Sequence, residues 1–414
     1  MAGDLWFWSV QHSVGQGLMH SGVLADGGQL KKSGENLLSV VYDCGTLTGK
    51  RKKLIRREVD LLASRIDSVD ALYISHFDDD HVNGLPELFD RFTPSLIAIP
   101  HVTAAERFFR VVHARGGYGL GALGEVTRGM LVSPRRTIRE MVGRIPKILE
   151  IKPYGESPLD RDELPNIGVE AMGDGFTTVK PSRETDGVGY VISSLEDHLW
   201  VVKPWVQPAV SVASKRFLKE LGLSSNRELT EALPGWLSNI RDSRKFIADA
   251  YKRAIRGVSK SDINNFTSLC LYSGPPNGNL FTDLPNHWAG DISTWSTRGD
   301  FSAESFKPAW VGTGDALLGD SNAAGPFFGS FSKVRGGVGQ VTVPHHGASR
   351  NSYQGLVDFF GHGTKWIASA GSNTKFGHPH RHVVEDISQR GQFVWVTENS
   401  RTRYIQTTRI SYGG

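Results

Sequence analysis

Short runs rich in β-branched and aromatic residues open the chain at 5–11, 37–43, 71–75 and 96–100, each stopped by Gly, Asp, Pro or His. Runs of this kind between turn residues predict strands. Between the second and third, 52–66 places Leu54, Ile55, Val59, Leu61, Leu62 and Ile66 at helical spacing, which predicts an amphipathic helix. The last part of the chain repeats the style, with strands expected near 267–272, 310–313, 340–344, 366–370 and 393–397 and helices near 353–360 and 382–390. The two ends therefore read as halves of one α/β domain, 1–103 and 262–414. The middle, 104–261, has a different pattern: 104–147 and 210–257 are helical in spacing around a strand-like patch at 186–203, which predicts a mainly helical insertion. There is no internal repeat and no low-complexity tract.

Composition narrows the class without naming it. The chain has 414 residues, 39% hydrophobic, with 47 Lys and Arg against 43 Asp and Glu. Disorder, collagen and coiled coil are excluded. The longest apolar runs, such as 37–42, fall far short of the ~20 residues that cross a bilayer, so no membrane partner is expected. The start, Met-Ala-Gly-Asp-Leu-Trp-Phe-Trp, lacks the basic then apolar order of a secretory signal, and a cytoplasmic location is expected. Cys44 and Cys270 are too few for a disulfide scaffold or a cysteine zinc site and read as core thiols. Charge is more informative once resolved along the chain. Residues 104–147 hold nine basic and three acidic side chains, and 210–260 hold eleven and five. A basic stripe on helices fits contact with a phosphate backbone, although a solvated helix face gives the same pattern.

Three strand ends carry candidate chemistry. In Ile74-Ser75-His76-Phe77-Asp78-Asp79-Asp80-His81-Val82-Asn83-Gly84 a strand stops and delivers the spacing H-x-D-x-D-H into a turn. Imidazoles and carboxylates presented this tightly suit two divalent ions, His76 and Asp78 on one, Asp80 and His81 on the other. An acidic loop capping a helix is the alternative, but three carboxylates this close repel without a cation. In Val311-Gly312-Thr313-Gly314-Asp315, Asp315 ends a strand where a carboxylate could bridge two ions; Gly-Asp is also an ordinary turn. In 341–349, His345 and His346 follow a strand and precede Gly347 and Ser349, as a ligand and a neighbour able to touch substrate, or as a buried structural pair.

In this order the motifs resemble the metallo-β-lactamase superfamily, and within it the soluble hydrolase domain of the ComEC DNA-uptake proteins. Further segments carry the likeness: Val14-Gly15-Gln16-Gly17, Asp43-Cys44-Gly45, Asn265 with Ser268-Leu269, Ser369-Ala370-Gly371-Ser372-Asn373, Phe376-Gly377-His378-Pro379 and Thr397. It covers roughly 4–100 and 262–408 and leaves the middle unexplained. The resemblance implies an αββα sandwich with a dinuclear centre: His76 and Asp78 on the first metal, Asp80, His81 and His345 on the second, Asp315 bridging. Asp78 stands where many members have a histidine, which brings manganese into competition with zinc as the pair of divalent ions. The superfamily's further histidine has no recognisable motif here; His101, His113, His198 and His287 are the candidates, with Asn264 or Asn265 as an alternative lining. By resemblance His346 and His378 would hold a phosphate oxygen or assist the leaving oxygen, with Asn265 and Ser349 near substrate. His12 and His20 read as structural, and His380 and His382 as solvent-facing at a helix start.

The expected activity is metal-dependent phosphodiester hydrolysis by a nuclease, with Asp80, Asp315 and His346 catalytic and nucleic acid, DNA ahead of RNA, as partner. A small-molecule phosphodiesterase or ester hydrolase with the insertion as lid is the second reading. A binding or regulatory protein with a structural metal is the third. A stand-alone nuclease in genome maintenance or defence, restrained by a regulatory protein partner, is the pathway that fold analogy suggests.

Overall fold

The computed structural model describes residues 3–26, 36–114, 124–143, 146–153, 177–179, 191–193, 198–207, 212–257, 267–276, 286–289, 307–373 and 375–412. Its first half runs β1 (Gly3–Gln11), β2 (His20–Asp26), β3 (Asn36–Tyr42), α1 (Arg51–Ala63), β4 (Ala71–Tyr73), α2 (Asp79–Val82), α3 (Leu85–Phe89) and β5 (Leu96–Pro100). Next come α4 (Ala104–Ala114), α5 (Glu125–Val132), α6 (Pro134–Val142), β6 (Lys147–Ile151), β7 (Thr177–Val179), β8 (Val191–Ser193) and β9 (His198–Val206). Three helices follow, α7 (Val212–Glu220), α8 (Asn226–Ser238) and α9 (Ile240–Ala254), and then β10 (Leu269–Gly274), β11 (Asn286–Ala289) and β12 (Ala309–Gly312). The chain closes with α10 (Ser321–Phe331), β13 (Val338–Thr342), α11 (Gln354–Phe360), β14 (Lys365–Ser369), α12 (Arg381–Arg390), β15 (Gln392–Val396) and β16 (Tyr404–Tyr412).

These strands make two mixed sheets, ordered β11-β16-β1-β2-β3-β4-β5-β6 and β15-β14-β13-β12-β10-β9-β8-β7. Antiparallel hairpins build one side of each sheet, and β3 to β6 and β12 to β15 run parallel. Parallel neighbours need crossovers, and helices supply them on the outer faces. Three cores follow from that layering. Between the sheets Leu5, Phe7, Tyr42, Tyr73, Trp200, Leu271 and Trp310 interlock. Outside the first sheet, Ile55, Val59 and Leu62 of α1 and Leu85 and Leu88 of α3 pack on Val41, Leu72 and Ile97. Outside the second, Phe327, Phe331, Leu356, Phe360 and Ile387 pack on Val311, Val341 and Trp366. The order of layers is αββα. Each fully buried large side chain contributes about 1.5–3 kcal/mol, so the two tryptophans and two tyrosines of the central layer fix how the two sheets face.

The segment 104–261 is not an insertion outside this body. Strand β6 pairs parallel with β5, and β9 lies inside the second sheet, paired antiparallel with β10 from Leu269–Val206 to Gly274–Val201. The strand-like patch expected at 186–203 corresponds to β8 and the start of β9, whose apolar alternation Lys203 and Pro204 interrupt, whereas β6, opened by Lys147 from a basic run, was not expected. Its helices α4, α7, α8 and α9 do form a core of their own, around Phe108, Phe109, Phe217, Leu229, Leu233 and Tyr251. Cys44 and Cys270 are buried free thiols. Among the described residues no helix is long and apolar enough to cross a membrane.

Candidate metal centre

Strands β4, β12 and β13 all deliver their C-terminal ends to the same edge, where loops of parallel strands commonly hold ligands. The edges are stitched together: Leu269 N–H donates to Ser75 O at 2.8 Å, His345 N–H to Gly314 O at 2.9 Å, and the Tyr42 hydroxyl to Leu269 O at 2.6 Å. Close approach is enforced by glycine. A Cβ on Gly314, whose φ is +52°, would lie 2.7 Å from Ser75 Cβ, and one on Gly45 would lie 2.5 Å from the Asp80 carbonyl carbon. Three non-glycine residues at this edge, Asp43, His345 and His346, have φ of 57°, 48° and 57°. Left-handed backbone at such residues stores strain that the surrounding hydrogen bonds must hold, and it is concentrated here.

The side chains form two groups that share a carboxylate. In one, His76 Nε2 lies 3.4 Å from Asp315 Oδ2 and 3.6 Å from Asp78 Oδ2. In the other, His81 Nε2 lies 3.3 Å from Asp315 Oδ1, and His346 Nε2 lies 3.2 Å from Asp80 Oδ2. His76, His81 and Asp315 converge within 4.8 Å, as do Asp80, His81 and His346. His76 Nε2, His81 Nε2, His346 Nε2 and Asp315 Oδ1 are buried with no hydrogen-bond partner. Four buried polar atoms without partners, aimed at one another, are costly unless a cation receives them.

Partners on the far ring nitrogens explain why the near ones are available. His81 Nδ1–H donates to Asp43 Oδ2 at 2.8 Å, His346 Nδ1–H to Ser369 O at 2.7 Å, and His345 Nδ1–H to Asn351 Oδ1 at 3.1 Å. The Ser75 hydroxyl donates to Asp43 Oδ2 at 2.6 Å and so accepts from His76 Nδ1–H at 2.9 Å. Each ring therefore carries its proton on Nδ1 and turns the Nε2 lone pair inward, the arrangement of metal-ligating imidazoles. Asn351 Nδ2 also holds Asp315 O at 3.0 Å. Sequence reasoning missed this supporting layer: Asp43 lies 38 residues from His81 and Ser369 lies 23 from His346, while Asn351, only six residues from His345, stands in no motif.

Charge at the edge is balanced tightly. Burial works against the Asp315 carboxylate, but His345, His76 and His81 hold it well below the usual range. Asp80 is likewise held low against burial by His346 and His81. Burial opposes charge on His81, and Asp315 and Asp43 outweigh it, raising that imidazole; for His346 the counterweight is Asp80. On His76 burial wins, helped by Arg110, and the ring is lowered. Arg110, from α4, grips Asp78 with Nε 3.0 Å from Oδ1 and Nη2 3.1 Å from Oδ2, and its Nη2 lies 3.5 Å from Asp315 Oδ2.

Most of the expected residues meet here, with one exchange. His346, not His345, joins Asp80 and His81. Two successive left-handed residues after Pro344 turn His346 inward, 3% exposed, and leave His345 at the rim, 42% exposed, with Nε2 3.5 Å from Asp315 Oδ2 on the His76 side. Periodicity cannot foresee such a turn. His378, on a cis bond to Pro379, lies at the same rim with its ring centre 5.6 Å from His345 and 6.4 Å from His346. Ser349 contacts His380 instead, its N–H donating to Nδ1 at 3.0 Å, so His380 is half-buried while His382 faces solvent. Among the candidates for a further ligand, His101 is bound to Glu150 at 3.0 Å and His113 to the Tyr251 hydroxyl at 2.5 Å, away from the centre. Asn264 and Asn265 and the side chains of His198 and His287 lie outside the described residues. His12 and His20 are buried and structural: His12 bonds Glu58 and Ser21, and His20 stacks on Trp310 at 3.8 Å.

Residues 38–199 match the metallo-beta-lactamase superfamily, and the αββα arrangement of two mixed sheets is consistent with a domain of it. The matched span contains Asp43, His76, Asp78, Asp80, His81 and Arg110; Asp315 and His346 follow it in the chain. No curated protein matches. The superfamily match and the two His/Asp groups together suggest a metal-dependent hydrolase.

Proposed function

We propose that this chain is a phosphodiester hydrolase that cleaves nucleic acid, DNA ahead of RNA, in the manner expected of a ComEC-like hydrolase domain. The observation that carries the reading is the joining of a basic helical layer to the metal edge. Helix α4 sends Arg110 into the centre and, one turn later, bonds His113 to Tyr251 of α9. Helices α7 and α9 pack against α4, and Lys215, Arg216, Lys219, Arg244, Lys245 and Lys252 are exposed on them. A polyanion held by that layer would lie on helices packed against α4, the element that reaches the carboxylates through Arg110. Other arginines of the segment serve the fold: Arg107 binds Leu131 O, and Arg135 binds Glu150.

Asp80, His81, His346 and Asp315 offer two oxygens and two nitrogens, a set that suits zinc or manganese. A divalent ion held by them would polarise a phosphoryl oxygen and lower the pKa of water toward neutrality. The chain's own groups do the rest. Asp43, Ser75 and Ser369 fix the ring orientations, so the ligands need not reorganise on reaction. Arg110 places a permanent positive charge beside the same carboxylates. His378 at the rim offers a hydrogen-bonding ring to a substrate oxygen.

The test is incubation of the purified chain with single-stranded DNA, duplex DNA, RNA and a chromogenic phosphodiester, each with zinc, manganese or magnesium, beside Asp80→Ala. Nucleic-acid cleavage that disappears in Asp80→Ala is the expected result. Turnover confined to the chromogenic compound or to cyclic nucleotides overturns the nuclease reading in favour of a small-molecule hydrolase.

A further inference from the structure

Two groups of ligands around one bridging carboxylate invite two cations, but one of the two places is already filled. Arg110 makes a forked contact with Asp78, with Nε 3.0 and 3.2 Å from Oδ1 and Oδ2 and Nη2 3.1 Å from Oδ2, and the same nitrogen lies 3.5 Å from Asp315 Oδ2. The guanidinium thus spans the two carboxylates that, with His76, would hold the first ion. It is anchored from behind as well, its Nη1 reaching Thr267 O at 3.5 Å, and α4 is tied to the helical layer through His113 and Tyr251. Asp80, His81, His346 and Asp315 Oδ1 have no such competitor, and His81 Nε2, His346 Nε2 and Asp315 Oδ1 are buried without partners, as is His76 Nε2 beside the carboxylates that Arg110 spans.

Four carboxylates gather at the edge, Asp43, Asp78, Asp80 and Asp315, and Arg110 already offsets part of the negative charge that an ion at the first place would meet.

We propose that Arg110 takes the place of the first metal ion, so that the centre holds one resident divalent ion, bound by Asp80, His81, His346 and Asp315, with the guanidinium as the fixed second cation. This rests on the metal-dependent reading of the site but not on the identity of the substrate. Arginine suits the post, because its planar fork matches a carboxylate and it stays protonated at every working pH.

The experiment counts ions without any substrate. The full chain is stripped with chelator, dialysed to equilibrium against manganese, and assayed for metal per chain, with electron paramagnetic resonance reporting whether bound ions are isolated or exchange-coupled. Wild type is expected to hold one ion with a mononuclear spectrum. Arg110→Met, which keeps the stem and removes the charge, is expected to hold two with a coupled spectrum. Arg110→Lys keeps a charge at the position and is expected to stay at one, and His346→Ala to fall below one. Two coupled ions in the wild type overturn the proposal, whether or not the Met variant folds. A folded Arg110→Met that still holds one ion overturns it too. Failure of the nuclease reading would leave these counts unchanged, so the two ideas fail separately.

Discussion

Replacing Asp43 by asparagine should weaken metal binding while leaving the fold intact, and the size of the effect follows from three hydrogen bonds. Asp43 Oδ1 accepts from Ser75 N–H at 2.7 Å, and Oδ2 accepts from the Ser75 hydroxyl at 2.6 Å and from His81 Nδ1–H at 2.8 Å. In Asp43→Asn the amide oxygen can keep the Ser75 N–H, and asparagine tolerates the left-handed φ of 57°. The amide NH2 then faces His81 Nδ1. Either two donors meet, or His81 moves its proton to Nε2, where it blocks the lone pair aimed at Asp315 and the cation. Losing such an orienting partner lowers metal affinity by about 10–100-fold, which is about 1.4–2.7 kcal/mol.

Competition with a fluorescent chelator measures the affinity, and thermal unfolding of the metal-free chain measures the fold. Asp43→Ala is the contrast. It leaves the buried Ser75 N–H without an acceptor, at about 1–3 kcal/mol, and puts alanine in a left-handed conformation. It should therefore lower both affinity and stability, whereas Asp43→Asn lowers affinity alone. An Asp43→Asn chain that binds metal within about threefold of wild type would refute the tautomer argument. Equal loss of stability in both variants would reduce Asp43 to a structural residue.

Three other expectations probe the surroundings. Gly45→Ala places a Cβ 2.5 Å from the Asp80 carbonyl carbon and 2.6 Å from His81 N, so the ligand turn must shift; overpacking of this kind costs about 1–3 kcal/mol, and calorimetric titration should show metal affinity falling as well. Glu58→Gln disrupts a buried carboxylate that accepts from Arg403 twice at 2.8 Å, from Ser13 at 2.8 Å and from His12 at 3.2 Å, so the urea midpoint should drop by the equivalent of about 3–5 kcal/mol with m unchanged. His20 is lowered well below 6.5 by burial and then by His12, so it folds neutral. Its share of stability is present above the unfolded value of about 6.5 and is lost as pH falls below it, by about 1.4 kcal/mol per unit, and His20→Phe should flatten the acid limb of the denaturation curve by that slope.

What the sequence made legible follows the distance over which each feature is decided. His76, Asp78, Asp80 and His81 were readable because a strand end and a short helix put them in one turn, and Asp315 because it follows the Gly312 end of β12 in a Gly-Asp turn. The roles of His345 and His346 were not, since two left-handed residues in a row, a state no residue-by-residue pattern encodes, decide which ring faces Asp80. Arg110 was counted as one of nine basic residues in 104–147. Charge counting weighs it the same as Arg136, which is exposed and paired with Glu140 one turn away on its own helix. Only packing of α4 against the sheet edge separates the two. The place of β6 and β9 in the sheets was illegible for a related reason: their partners β5 and β10 are separated from them by whole helices, so the patch at 186–203 carried no sign of its pairing and β6 no sign of a strand.

The site also ties two halves of the chain into one event. Its ligands come from 76–81 on the first sheet and 315–346 on the second, and neither group is complete without the other. The residues that bring them together, Tyr42 on Leu269 O and Leu269 N–H on Ser75 O, lie at the seam between the sheets. A cation bound across that seam binds the folded arrangement and not the unfolded chain, so its binding energy adds to stability: about 2.7 kcal/mol at a concentration 100 times the dissociation constant. The isolated span 38–199 keeps Asp80 and His81 but not Asp315 or His346, and gains nothing from the ion by that route. Metal-dependent stabilisation is thus a property of the joined sheets, and it should vanish in His346→Ala even where the apo fold is unaltered.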